Sequence, residues 1–272
     1  MRRSDLALVC LLGLAVLAAT AVAPAFVEAR PAYEIPVHYT VDDDAVEGDD
    51  GEAWNRAPAA TVPLSSAGAN VPGGDDTTVT EASVAVVRTE DRLHVRVSWA
   101  DPSRNVSNDR VRSFADAVAV QFPANASNRP PIAMGSTDNP VNVWYWSGAN
   151  ASEELLAGGP GTTTRFPDST LSTNATYRDG RWTVTFSRAL DGASANRTTV
   201  PTDRDLDVAI AVWNGGNMER SGQKAASEWY YLALGPGPGG PPYEVILWTV
   251  AGIAIVATTL VTIQGVRRTR GA

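Results

Sequence analysis

The chain has 272 residues and a formal net charge of −8, enough for one large domain with separate ends. Its acidity argues against nucleic acid as a partner, because a phosphate backbone binds basic surfaces. A single cysteine, Cys10, rules out an internal disulfide, a cysteine-ligated iron–sulfur cluster and CxxCH haem attachment, while two histidines, His38 and His94, are too few for a histidine-rich metal site.

Residues 1–29 read as an export signal or N-terminal anchor. Arg2 and Arg3 precede an apolar run from Leu6 to Val22, and small residues around Ala23 to Ala29 suit cleavage. The arginine pair hints at the twin-arginine route, although Asp5 falls where that signal prefers an apolar residue. Cys10 lies inside the apolar run and reads as a small hydrophobe. An acidic run from Asp42 to Asp50 lacks the EF-hand pattern and reads as a solvated loop.

Residues 33–234 form the central domain. Helical periodicity is nearly absent and alternation is common. Leu93, Val95, Val97 and Trp99 alternate with His94, Arg96 and Ser98, and Trp182, Val184 and Phe186 alternate with Thr183, Thr185 and Ser187. Val84 and Val86, and Val118, Val120 and Phe122, repeat the pattern. Gly, Pro, Asn and Asp clusters separate these segments. The class expected is all-β, an antiparallel β-sandwich. His94 falls on the polar face and is expected to be exposed, His38 is expected at the surface, and Gly148 to Asn174 is expected to be a long connection. No GxSxG, HExxH or phosphate-binding glycine loop is present, which speaks against an independent enzyme. Asn105, Asn125, Asn150, Asn174 and Asn196 each open an N-x-Ser/Thr triplet, as expected of an exported domain.

Lys224 is the only lysine, in a chain whose other basic residues are arginine, a bias that with the acidity suggests adaptation to high salt. Residues 235–243, GPGPGGPPY, read as a linker. Residues 244–264 read as one transmembrane helix, since Val245 to Ile263 is uncharged and close to the ~20 residues a span requires. The tail 265–272 carries Arg267, Arg268 and Arg270 and is expected in the cytoplasm, which places the central domain outside the cell membrane.

Several blocks, in order, resemble the haem b (gamma) subunit of type II dimethyl sulfoxide reductase family molybdoenzymes, the group of ethylbenzene dehydrogenase, dimethylsulfide dehydrogenase and certain chlorate, selenate and nitrate reductases. They are EAWNRAPAATVPL (52–64), LHVRVSWAD (93–101), FADAVAVQFP (114–123) leading into IAMGSTDNPVNVWYW (132–146), YRDGRWTVTFSRAL (177–190), and VAIAVWNGG (208–216) followed by ERSGQKAASEW (219–229). The resemblance implies a β-sandwich holding one non-covalent haem b between an axial methionine and an axial lysine. At the matching positions these are Met134 and Lys224, with Met218 as a second choice of sulfur. Phe122, Trp144, Trp146 and Trp213 lie in neighbouring blocks as pocket walls or as sandwich core. Arg129 and Arg220 are near the ligands in sequence. The C-terminal helix departs from the soluble gamma subunits of the best-known members.

The implied ligands make chemical sense. A thioether is a soft neutral donor that favours ferrous iron. A lysine amine binds iron only when deprotonated, which at pH 7 costs about 4–5 kcal/mol from its ordinary pKa. Burial disfavours the ammonium and offsets part of that. The implied function is an electron-transfer subunit, partnered by a molybdopterin catalytic subunit and an iron–sulfur subunit, with nitrate reduction favoured. The competing expectation is a haem-free, cell-surface carbohydrate-binding sandwich, with Trp54, Trp144 and Trp146 stacked on sugar rings and Lys224 in solvent.

Overall fold

The structure, a computed structural model, describes residues 33–48, 51–194 and 196–235. The export segment, most of the linker, the expected transmembrane helix and the basic tail lie outside the described residues. Among the described residues no helix is long and apolar enough to cross a membrane.

Two β-sheets face each other. One contains β1 (Glu34–Tyr39), β2 (Ala60–Pro63), β4 (Glu81–Arg88), β5 (Arg92–Ala100), β10 (Ser172–Arg178) and β11 (Arg181–Ala189), in the order β10-β11-β5-β4-β1 with β2 also on β4. The other contains β6 (Ala117–Pro123), β7 (Val141–Ser147), β8 (Ala151–Ala157), β9 (Thr164–Arg165), β12 (Leu206–Trp213) and β14 (Tyr230–Ala233), in the order β14-β12-β6-β7-β8-β9. Two short strands, β3 (Ser65–Ser66) and β13 (Ala225–Ala226), extend it from β12. The expected all-β sandwich is therefore present, with one exception to its antiparallel rule. Strand β1 runs parallel to β14 through Glu34–Pro36 and parallel to β4 through Val37–Tyr39, so it joins the two sheets along one edge.

The period-two pattern explains the core. Leu93, Val95, Val97 and Trp99 of β5 pack against Trp182, Val184 and Phe186 of β11 and across to Val118, Val120 and Phe122 of β6 and Trp144 and Trp146 of β7. Trp182 sits 4.9 Å from Trp146 and 6.3 Å from Trp99, and Phe122 sits 4.7 Å from Trp144. Burying an aromatic of this size contributes about 2–3 kcal/mol through lost water contact. The next inward position of β11 is an arginine. Arg188 is fully buried and bonds to Glu154 at 2.7 Å, to Asn142 at 3.0 Å and to the Thr198 carbonyl, while Arg197 also meets Glu154 at 3.2 Å. Such a charge is tolerated only because its donors are matched, and removing one partner would leave a buried ion.

Two expectations are corrected. The Gly148–Asn174 stretch is not one long connection, since it contains β8 and β9; the sequence ASEELLA of β8 lacks clean alternation and hid its strand. His94 is buried and not exposed. The outer face of β4 and β5 is covered by residues 43–48 and 51–57: the short helix α1 (Glu52–Arg56) places Trp54 beneath Arg96, and Val46 packs in the same cluster as Val87. His38 is half-buried.

Candidate functional site

Among the described residues the outer face of the second sheet carries no such cover. Alternation on β6 and β12 sends Val118, Val120, Ile210 and Val212 inward and leaves Ala117, Ala119, Ala209 and Ala211 outward. Register then aligns them. Ala226, Ala211, Ala119 and Tyr145 form one row across β13, β12, β6 and β7. The rows beside it are Trp213–Ala117 and Ala209–Gln121–Val143–Leu155. Methyl-sized side chains leave the backbone sheet as a low, flat apolar floor, over which a cavity of about 1290 Å³ opens. Its walls come from the loops 65–71, 108–115, 132–134, 160–163 and 219–224.

Met134 and Lys224 both line this cavity. Met134 is held by its loop. Its N–H donates to the Ile132 carbonyl at 2.8 Å, its carbonyl accepts from Gly159 N–H at 2.9 Å, and Trp229 Nε1 clamps the approach by donating to Pro130 at 3.1 Å. Met134 has φ 63°, in the left-handed region where a non-glycine residue costs on the order of 1–2 kcal/mol. Gly135 follows at φ 71°, and a Cβ there would come within 2.7 Å of the Asn139 carbonyl, so the glycine after this methionine is required by the turn. The thioether packs on the outer-face cluster with Val143, Leu155 and Trp213.

Lys224 immediately precedes β13, on the same face as Ala226. The chain leading to it is fastened by Glu219. This buried carboxylate accepts from Asn214 N–H, Thr78 N–H and Asn217 Nδ2 at 3.0–3.2 Å. The adjacent Gln223 donates to the Asp76 carbonyl at 3.0 Å, and the Lys224 carbonyl accepts from Ala67 N–H at 3.0 Å. The amine has no hydrogen bond or ion pair among the described residues. Its one contact of note is the Trp213 ring, 5.2 Å from Nζ to the centroid, with Tyr145 edge-on to that ring at 5.8 Å. Burial lowers the Lys224 pKa below the usual lysine value. An unpaired, half-desolvated amine and a neutral thioether over a flat apolar floor form a donor set suited to a metal centre inside a planar, apolar ligand.

The remaining expected wall residues divide sharply. Trp213 lines the cavity, whereas Phe122, Trp144 and Trp146 face the interior of the sandwich and are core. The strand VNVWYW is apolar on both faces, so alternation cannot say which face meets a ligand. Met218 is exposed, does not line the cavity, and has its sulfur 3.8 Å from Arg112 Nη2. Arg129 is committed to Asp207 at 2.5 and 2.9 Å, away from the cavity. Residues that sequence reasoning missed are the alanines 117, 119, 209, 211 and 226, Tyr145, Phe114 and Arg110. The signal available was the alternation of alanine with valine or isoleucine in AVAVQF and VAIAVW.

A second buried centre underlies the cavity wall. Asp116 accepts from Trp182 Nε1 at 2.9 Å, Asn105 N–H at 2.7 Å and Gly215 N–H at 2.9 Å, tying both sheets to the 103–105 loop and the 214–216 turn. Gly215 is indispensable there, because a Cβ would stand 1.9 Å from the Phe114 carbonyl. Asp101 is buried beside it and its carboxyl is pushed up to about 6, first by desolvation and further by the Asp116 charge.

The sequence of the chain matches known proteins. The ethylbenzene dehydrogenase family model covers residues 51–168 and 161–225. The chain belongs to that family. Curated relatives agree. A protein of Haloferax mediterranei named for a respiratory nitrate reductase haem subunit is 55% identical over 93% of this chain and 91% of its own length. The chlorate reductase gamma subunit of Ideonella dechloratans is 33% identical over 66% of this chain and 76% of its own, and the dimethylsulfide dehydrogenase gamma subunit of Rhodovulum sulfidophilum 34% over 58% and 62%. Among solved structures, a family 9 carbohydrate-binding module of Caldicellulosiruptor kristjanssonii in complex with glucose overlaps 77% of this chain and 99% of its own, at 13% identity and a TM-score of 0.46. A likeness that distant bears on neither fold nor ligand. The sugar-stacking expectation fails on the structure itself: Trp54, Trp144 and Trp146 are all buried, and Lys224 is half-buried.

Proposed function

We propose that this family member is the haem b electron-transfer subunit of a multi-subunit molybdopterin oxidoreductase. The observation that carries the reading is the convergence of the Met134 thioether and the unpaired Lys224 amine on one alanine-floored cavity. Met134 and Lys224 would hold the haem iron, without covalent attachment of the porphyrin. The alanine rows would leave room for the porphyrin, and Trp213, Tyr145, Val143 and Leu155 would keep water from it. Bound haem b supplies a one-electron ferric/ferrous couple.

The protein residues set its character. Burial prepares Lys224 to lose its proton, and the αL turn at Met134 fixes where the sulfur points. Two protein ligands leave no open iron position for a substrate, so the chain carries electrons and the chemistry belongs to a molybdopterin subunit reached through an iron–sulfur subunit. Nitrate is the favoured terminal substrate, supported by 55% identity to the Haloferax relative. The basic tail and apolar C-terminal run support a membrane-tethered complex with this domain outside the cell.

The test is a reduced-minus-oxidised visible spectrum of the full-length protein beside Met134→Ala and Lys224→Ala. Sharp low-spin b-type bands are expected in the parent and a conversion to high spin in each variant. Folded protein that takes up no haem, or a low-spin spectrum indifferent to both substitutions, would overturn the reading.

A further inference from the structure

Resting on the haem reading, the cavity lining also determines which way the cofactor would face. A haem carries two carboxylates on one edge. In an apolar cavity these are costly unless paired or solvated. Three cations line the cavity, and one of them is Lys224. The other two, Arg110 and Arg220, are exposed and stand on neighbouring loops at one side of it. Neither forms an ion pair with a carboxylate among the described residues, although this is an acidic chain.

Arg220 is already oriented. Its Nη1 donates to the Met218 carbonyl at 3.1 Å and its guanidinium lies 4.7 Å over the Phe114 ring, itself part of the wall. Arg110 stands on the loop that carries Phe114, whose turn is closed by Ser113 N–H donating to the Arg110 carbonyl at 2.9 Å. The carboxylates in the lining are occupied or set apart. Glu219 is buried and saturated by N–H donors, Glu153 faces Arg165 at 3.6 Å, and Glu228 lies beyond β13. Toward Leu155 and Val143 the lining holds no cation, and Arg165, opposite Leu155 on β9, is turned to Glu153 at 3.6 Å.

We infer that Arg110 and Arg220 form the receptor for the haem propionates, which directs the carboxylate edge toward the 108–115 and 219–222 loops. Planar guanidinium forks suit carboxylates, and their charge-assisted bonds are the stronger kind.

Binding of haem b and of its dimethyl ester, which lacks the two charges, is compared in the full-length protein by spectral titration. The wild type is expected to bind the ester about a hundredfold more weakly, about tenfold for each arginine. In the Arg110→Gln/Arg220→Gln protein the two porphyrins should bind alike, while low-spin bands persist because the axial donors are untouched; Arg220→Lys should restore part of the preference. Equal affinities in the wild type, with low-spin bands present, would overturn the receptor and leave the haem reading standing. A retained preference for haem b in the double variant would overturn it too. No uptake of either porphyrin by folded wild type would instead remove the haem reading on which the receptor rests.

Discussion

The two outer faces of the sandwich are built from the same alternating pattern and end differently. On β4 and β5 the outward side chains include Ala85, His94 and Arg96, and the chain returns over them with Val46, Ala53 and Trp54 to make a second small core. On β6 and β12 the outward side chains are alanines, and nothing among the described residues fills the space above. One face is closed by the protein's own chain. The other is shaped to be closed by something else. Side-chain size and the path of the connecting loops, not hydrophobicity, separate a structural face from a binding face.

That contrast can be tested by perturbing each face in turn. The largest effect is expected on the closed face. Trp54 is buried, donates through Nε1 to the Val46 carbonyl at 3.1 Å and stacks under Arg96 at 3.9 Å. Trp54→Ala should lower unfolding free energy by about 3 kcal/mol in a denaturant titration. The haem spectrum of the folded protein should be unchanged; loss of haem uptake from still-folded protein would break the separation of the faces.

A smaller effect of opposite kind is expected on the open face. Ala119→Leu with Ala211→Leu raises the floor by three carbons at each of two paired positions. Stability should move by less than about 1 kcal/mol, because both side chains enter existing space. Haem affinity should fall more than about tenfold, since the added carbons take up cavity space. Unaltered affinity would mean the floor is not where the ligand sits.

A further effect is a pH dependence that arises on the closed face. His94 is buried with Nε2 unpartnered, and its pKa is lowered to about 4, first by desolvation and then by Arg92. A lowered histidine pKa means the unfolded chain binds the proton more readily between about 4 and 6.5. Stability is therefore fully present above 6.5 and is lost as pH falls, by about 2 kcal/mol at pH 5. His94→Asn should flatten that part of the pH–stability profile in thermal melts between pH 5 and 7. An unchanged profile would show that His94 does not titrate in this way.

How much of this was legible in the sequence varied with the kind of residue. The strands β5 and β11 were plain because one face is apolar and the other polar. Strand β7 was not, because VNVWYW is buried on both sides, and its tryptophans were as good as pocket walls until the register placed them inside. His94 looked exposed because its strand face is polar; only the overlying residues 43–48 and 51–57 bury it. Arg188 sits on the apolar face of β11 with its partners Glu154 and Asn142 at 34 and 46 residues' separation, a distance no local pattern spans.

By itself the sequence determined the all-β class, through period-two alternation, and singled out Lys224 and the Met134–Gly135 pair, through a unique residue type and family-like blocks. Tertiary structure decided what those residues share. Met134 and Lys224 are 90 positions apart in the chain, and they meet at one cavity only because β6 and β12 pair side by side and β13 folds onto β12. It also decided which arginines border the cavity: Arg129 is taken by Asp207, while Arg110 and Arg220 meet no carboxylate among the described residues. The physical reason is that strand propensity is a local property, whereas register, the path of a loop over a sheet and the competition of a cation among carboxylates are settled only when distant segments are brought together.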